Sequence, residues 1–231
     1  HRDLHSFPTR RSSDLPFPSS RRAFLKTAAA PLFIPARALG RGVPAPSDRV
    51  TVGIVGSGQR AVFETRQYPS FDNTVIVAVS DAQRSRREGA KAELERQYAL
   101  QRPGSSHRGI RMYGHFEELL AQKDIDAVYI ASPDHWHVPM LIRALAAGKH
   151  VHCEKPLGVT LEEADEMIDA CRKAGVLLLY AEELLFAPKY VRAKTLVDEG
   201  AVGTPSLVKQ SEEHSGPHMP WVWDVNRSGG G

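Results

Sequence analysis

The sequence predicts an α/β fold built on a doubly wound parallel sheet, and three observations carry that prediction. Short apolar runs alternate with longer, more charged stretches from Arg49 to about Glu199. The runs are rich in Val and Ile, as strands buried on both faces must be. Glycines close the longer stretches at Gly148, Gly175 and Gly200, where a helix can end in a left-handed residue.

Taken in order, Val50–Val55 is the first strand, unbroken in Val, Ile and Thr apart from Gly53. Residues 58–68 form the first helix and 74–79 the second strand. Residues 82–99 are a charged helix, and 101–109, with Pro103, Gly104 and two serines, read as a loop. A helix is expected at 116–122, a strand at 127–131, and a helix at 138–147. The strand His150–Glu154 and the helix Leu161–Ala174 follow, then a strand at 177–181 and a helix at 188–199. Residues 205–213 read as the first strand of a second sheet. No internal repeat is present.

Length and charge bound the rest. A chain of 231 residues suits one domain, or one and part of a second. Its net charge of +3 is unevenly spread. Residues 1–46 hold eight Lys/Arg against two Asp, a net of +6, while residues 47–231 hold 22 basic and 25 acidic side chains, a net of −3. A mildly acidic body lacks the basic face that tracks phosphates, so no nucleic-acid partner is expected. Cys153 and Cys171 make no disulfide framework.

The N-terminal region divides in two. Residues 1–15, HRDLHSFPTRRSSDL, back-translate without a break to a common short-read sequencing adapter, and no Met precedes Met112. They are set aside from fold reasoning. Ser20-Arg21-Arg22-Ala23-Phe24-Leu25-Lys26 then matches the twin-arginine export consensus at every defined position. A short apolar stretch follows at 27–34, and Ala36-Arg37-Ala38 offers small residues for cleavage. The stretch falls short of the ~20 apolar residues needed to span a bilayer, so no stable membrane anchor is expected. Residues 16–47 are read as a signal and linker, with the twin-arginine machinery as partner and export to the bacterial periplasm as destination.

The first chemical motif sits where the first strand meets its helix. Gly56-Ser57-Gly58-Gln59-Arg60-Ala61 fits G-x-G-x-x-A. Gly56 permits the tight turn, Gly58 leaves room for a pyrophosphate, and Ala61 lets helix and strand pack closely. Helix N–H groups then face the phosphates. Asp81, at the end of the second strand, is placed to accept hydrogen bonds from the adenosine ribose hydroxyls and to repel a 2′-phosphate. This is a Rossmann fingerprint with NAD as cofactor. Arg84, Arg86 and Arg87 nearby keep NADP open.

A second pair of motifs narrows the reading. Ala131-Ser132-Pro133-Asp134-His135-Trp136-His137 ends one strand, and Gly148-Lys149-His150-Val151-His152-Cys153-Glu154-Lys155-Pro156 forms the next. Tyr180-Ala181-Glu182, Phe186-Ala187-Pro188, Gly200-Ala201-Val202-Gly203 and Trp223-Asp224 before Gly229-Gly230-Gly231 continue the pattern. From residue 49 onward the chain resembles the glucose–fructose oxidoreductase/inositol dehydrogenase (Gfo/Idh/MocA) family. The resemblance implies a Rossmann domain over 48–181. It also implies that 182–231 begin an α+β substrate and oligomerisation domain that stops short here. The activity implied is NAD(P)-dependent hydride transfer on a sugar, cyclitol or related polyol, by a homo-oligomer when complete.

The resemblance assigns roles as well. Lys155 is implied as the catalytic residue, bonding the substrate hydroxyl and steadying the alkoxide-like charge as hydride leaves. Partial burial beside a cation would bring it toward proton-transfer range. Glu154 is implied to contact the nicotinamide end of the cofactor, and Ser132, Asp134 and His137 to line it. A cis peptide is implied before Pro156. Glu183 and Leu185 depart from the family, where many relatives carry Asn and Arg. In relatives, the triple glycine opens a segment ending in an Asp and a His that complete the active site.

Ten histidines invite a metal, and His135 with His137, or His150 with His152 and Cys153, lie close in sequence. All of these fall within the two motifs, and neither HExxH nor a paired CxxC is present, so no metal site is expected. His214 and His218 read either as sugar contacts or as a solvated loop. Two further classes stay open: an NAD-dependent glycosidase on the same fold, and a non-catalytic protein that retains a nucleotide.

Overall fold

Strands that are apolar on both faces need helices on both sides, and that is how the chain is built. The computed structural model describes residues 45–102, 107, 109–211, 213 and 220–228. The adapter-like residues, the twin-arginine motif, His214, His218 and the triple glycine lie outside the described residues. Six parallel strands form one sheet in the order β3-β2-β1-β4-β5-β6. They are β1 (Val50–Val55), β2 (Thr74–Ser80), β3 (Arg111–Tyr113), β4 (Ala127–Ile130), β5 (His150–Glu154) and β6 (Leu178–Ala181). The order reverses at β1, which pairs with β2 on one side and β4 on the other. In sheets of this kind a crevice opens at that reversal, beyond the strands' carboxyl ends.

Helices α1 (Gln59–Thr65) and α2 (Arg84–Gln101) cover one face. There Ile54, Ile76, Leu94, Tyr98 and Tyr129 form a buried cluster. Helices α3 (Phe116–Leu120), α4 (His137–Ala146) and α5 (Leu161–Ala174) cover the other, over Val55, Leu119, Ile130, Leu141 and Met167. Helix α5 shows why its sequence starts and stops where it does. The Thr160 side chain accepts from Glu163 N–H while Glu163 bonds back to the Thr160 N–H, and Gly175 closes the helix in the left-handed region. Helix α6 (Pro188–Asp198) follows β6.

The register slips once. Val52 faces Ile76 but Gly53 faces Ala78, leaving Val77 as an extra residue in β2. The Tyr98 hydroxyl accepts the Ile76 N–H at 2.8 Å, and the His107 ring contacts Ile76 O at 2.7 Å while lying against Tyr98. The bulge therefore leaves neither polar group of Ile76 unpaired.

Two expectations are corrected. Strand β3 was absent from the sequence reading: three residues on the sheet edge, with no apolar run, carry too little pattern to register. Conversely, the described residues between 205 and 213 form no strand, since no neighbouring strand is present among the described residues to complete a ladder. Other boundaries differ by a few residues, as at α1, which ends at Thr65 before a separate turn at Tyr68–Ser70.

Candidate active site

The glycine turn after β1 is dictated by its surroundings. Gly56 has φ +85°, and a Cβ there would stand 2.7 Å from the Ala131 carbonyl oxygen at the end of β4. Any side chain would strain the backbone and collide with it. Ser57 is buried, donates its hydroxyl to Ser80 O at 3.0 Å, and donates its N–H to Asp81 Oδ2 at 2.9 Å. At Gly58 the nearest atom to an added Cβ is Arg86 Nη1, at 4.0 Å. Helix α1 starts there with no side-chain cap, so its first N–H groups remain available for an anion.

Asp81 stands one residue past β2. Its second carboxylate oxygen, Oδ1, accepts from Gln83 N–H at 2.9 Å, so both oxygens are oriented by backbone. The three arginines beyond it separate by partner. Arg84 pairs with Glu88 at 2.7 Å, and Arg87 bonds the carbonyls of Asp81 and Ala82. Arg86 alone of the three lines the crevice.

This crevice, about 1470 Å³, runs along the carboxyl ends of the strands. Gly56, Ser57, Gly58, Gln59, Arg60, Asp81, Ser132, Asp134, Glu154 and Lys155 all line it, so the fold gathers ten of the eleven expected site residues. The eleventh, His137, is fully buried beneath the wall rather than on it. Its two ring nitrogens face the Pro156 and Ser132 carbonyls. Sequence reasoning missed Phe116, Met140 and Trp221, which also line the crevice. Recognising β3 would have pointed to Phe116, just beyond that strand's end.

Glu154 ends β5 and is buried. Its Oε1 accepts from the Tyr129 hydroxyl at 2.6 Å and from Arg60 Nε at 3.0 Å, while Oε2 accepts from the Lys155 N–H at 3.2 Å. Burial, and then the bond to Glu154, push the Tyr129 phenol far above its ordinary value, so it stays a donor. Arg60 also reaches Glu64 at 3.0 Å and Glu183 at 3.7 Å. Lys155 is exposed on the crevice wall. No hydrogen bond or ion pair holds its ammonium among the described residues. The Lys155–Pro156 peptide is cis.

A second cavity of about 240 Å³ opens on the α1 side of β4 to β6, bordered by Arg60, Tyr68, Tyr129, His152 and Glu154. His152 contacts the Tyr68 hydroxyl at 3.3 Å, and burial lowers its pKa. His150 accepts the Leu177 N–H at 3.0 Å. Cys153 is a free thiol pushed up to about 12 by burial. Among the described residues no group of three or more His, Cys, Asp or Glu gathers to hold a metal, and no helix is long and apolar enough to cross a membrane.

A dinucleotide fits these residues. The cradle at Gly56–Gly58 lies open to the crevice, and Ser132 Oγ is buried beside it with no hydrogen-bond partner in the described structure. Such an orphaned hydroxyl at a crevice wall awaits a polar ligand.

Comparison with known proteins agrees. An uncharacterized oxidoreductase of Bacillus subtilis is 32% identical over 182 residues, 79% of this chain and 49% of that protein. A glycosyl hydrolase family 109 protein of a Shewanella species is 28% identical over 70% of this chain and 35% of its own length. The crystal structure of scyllo-inositol dehydrogenase from Lactobacillus casei, with bound NAD(H) and scyllo-inositol, matches with a TM-score of 0.58 and 26% identity. It covers 67% of this chain and 42% of that one. The chain spans about half the length, or less, of the curated relatives it matches. The oxidoreductase family described by its NAD-binding Rossmann fold matches residues 50–182. By its sheet order, its glycine turn and this match, the chain belongs to the Gfo/Idh/MocA oxidoreductases and carries their NAD-binding Rossmann fold.

Proposed function

We propose that the complete protein transfers a hydride between NAD and a hydroxyl-bearing carbon of a sugar, cyclitol or related polyol. One observation carries this reading: Lys155 projects from the end of β5 onto the crevice wall with its ammonium unpaired among the described residues. When bound, the dinucleotide supplies the hydride acceptor or donor. The protein's part is binding, orientation and charge. The backbone of Gly56, Ser57, Gly58, Gln59 and Arg60 holds the pyrophosphate, and the Asp81 carboxylate accepts from the ribose hydroxyls. Ser132 Oγ and Asp134 complete the wall. Glu154, fixed by Tyr129 and Arg60, would contact the nicotinamide end and sets the backbone from which Lys155 reaches. In the oxidative direction Lys155 as the neutral amine would accept the substrate hydroxyl's proton as hydride leaves the carbon, and in the reductive direction its ammonium would return that proton to the oxygen as the oxygen gains negative charge.

The polyol class rests on the scyllo-inositol bound in the Lactobacillus structure. In this reading residues 48–181 form the dinucleotide domain and 182–231 begin the substrate side, reached after export through the Arg21-Arg22 motif. Replacing Arg21 and Arg22 by Lys is expected to retain the precursor in the cytoplasm, and undiminished export would refute that address.

The test of the activity uses the complete enzyme, a panel of polyols and NAD. Lys155→Met is expected to lower kcat by about 10²- to 10⁴-fold with NADH affinity nearly unchanged; full activity in the variant would end the proposal. The Shewanella relative supports a second reading, transient oxidation of a glycoside followed by elimination and return of the hydride. That activity releases sugar with no net change in NAD, whereas a dehydrogenase reduces it stoichiometrically.

A further inference from the structure

His137 opens α4, the helix that follows the Ser132-Pro133 loop, and Val138 and Leu141 anchor that helix in the core. Its ring is fully buried and does not reach the crevice, so it cannot touch a ligand there. Nδ1 lies 2.7 Å from the Pro156 carbonyl oxygen and Nε2 lies 3.0 Å from that of Ser132. Carbonyl oxygens only accept, so the neutral ring, with one N–H, donates to one of the two according to its tautomer, and only the imidazolium donates to both. One side chain thus spans the two segments that carry chemistry. The first ends in Ser132, whose hydroxyl is the orphan at the crevice wall. The second is the Lys155-Pro156 turn.

The turn is gripped from its other side too. Glu154, just before Lys155, is bonded by Tyr129 from β4 and by Arg60 from α1. Lys155 is therefore flanked by a fixed carboxylate on one side and a fixed carbonyl on the other, while its ammonium is left unpaired among the described residues. The sheet itself does not provide the second grip. Strand β5 ends at Glu154, and its pairing stops at Cys153 with β4 and at Glu154 with β6, short of Pro156.

We propose that His137 is a positioning residue that ties the cofactor-side loop at Ser132 to the lysine turn at Pro156, so that the two hold one geometry. Its effect passes through Lys155, and the proposal rests on the reading of Lys155 as the group that meets the substrate. Misplacing a reacting group by an ångström can cost about 100-fold in rate, and the His137 ring is what prevents that displacement.

The test compares His137→Phe, which keeps a ring and removes both nitrogens, with His137→Gln, which keeps an amide donor. In this chain without ligand, amide hydrogen exchange is followed at residues 131–134 and 154–158. The Phe variant is expected to exchange about 10-fold faster in both segments while β1 and β2 keep their protection, a local opening rather than a global one. The Gln variant is expected to protect one segment and release the other. In the complete enzyme, the Phe variant is expected to lose about 10- to 100-fold in kcat with KM for the polyol within about threefold, and the Gln variant to recover part of the loss. Unchanged exchange in both segments, or equal acceleration throughout the sheet, would overturn the proposal. So would a Gln variant no better than Phe. Should the Phe variant fail to fold, the Gln variant decides by its segment pattern alone. A wild-type enzyme that turns over no polyol would refute the hydride-transfer reading, and the exchange measurement would still decide whether His137 ties the two segments.

Discussion

Residues 50–154 and the residues beyond Ala181 treat their apolar side chains in opposite ways. In the first region Ile54, Ile76, Ile130 and Leu141 are almost wholly buried, and helices cover both faces of the strands. In the second, Leu185, Phe186, Leu207 and Val208 are 66%, 70%, 73% and 79% exposed, and α6 buries no residue at all. Strand β6 marks the passage between them, with Leu179 already 53% exposed. The first region supplies its own core and with it the crevice. The second presents its apolar side chains at the surface among the described residues. The crevice that fits a dinucleotide therefore draws most of its lining from the first region.

That contrast is open to attack by mutation, beginning with the largest effects. Leu141→Ala or Ile130→Ala is expected to cost about 2–5 kcal/mol in urea unfolding. Leu207→Ser or Val208→Ser is expected to stay within about 0.5 kcal/mol. Comparable losses from both pairs would erase the distinction between the regions. Gly56→Ala comes next: the left-handed backbone alone costs about 1–3 kcal/mol in a non-glycine residue, and the contact with Ala131 adds to it. Retained stability and retained NADH binding in that variant would show that the turn is looser than its geometry.

Tyr129→Phe probes how firmly the first region holds Glu154. Removing the hydroxyl leaves the buried carboxylate short of a charge-assisted bond, a loss of about 1–3 kcal/mol. The smallest effect concerns pH. Burial lowers the His152 pKa below 6.5, so between the two values the unfolded chain binds more protons than the folded one. Stability is therefore complete above about pH 6.5 and falls as the solution is acidified through the folded-state pKa. A His152→Gln variant is expected to lose less stability than wild type between pH 7 and pH 5. Parallel thermal melts in that window would remove His152 from the account.

How much of this could be read without a structure depended on whether the signal was local. The strands β1 and β5 and helix α5 were legible to the residue, β1 by its run of Val and Ile, β5 within the motif from Gly148 to Pro156, and α5 by the Gly175 that closes it. Strand β3 was not, since three edge residues bury little. The expected strand over 205–213 shows the reverse failure: Leu207 and Val208 have strand character, but a ladder needs a neighbour. At the site, the glycine turn and Asp81 were legible because a single loop contains them or a strand end presents them. The grip on Glu154 was not, because Arg60 lies 94 residues away and Tyr129 lies 25 away. His137 was grouped with the cofactor wall for want of any sign that its ring turns inward to the Ser132 and Pro156 carbonyls. Among the arginines, the i,i+4 spacing of Arg84 and Glu88 does announce their pairing and leaves Arg86 to face the crevice.

The central claim is that this chain holds NAD through the glycine turn and Asp81, and a fluorescence titration of the 231-residue chain with NADH and NADPH tests it most directly. The account predicts saturable NADH binding, tighter than NADPH. It also predicts that Asp81→Asn weakens NADH about tenfold, the loss of one charged hydrogen bond, and that offered polyols bring no turnover. No saturable binding, or NADPH bound more tightly than NADH by the wild-type chain, would contradict it.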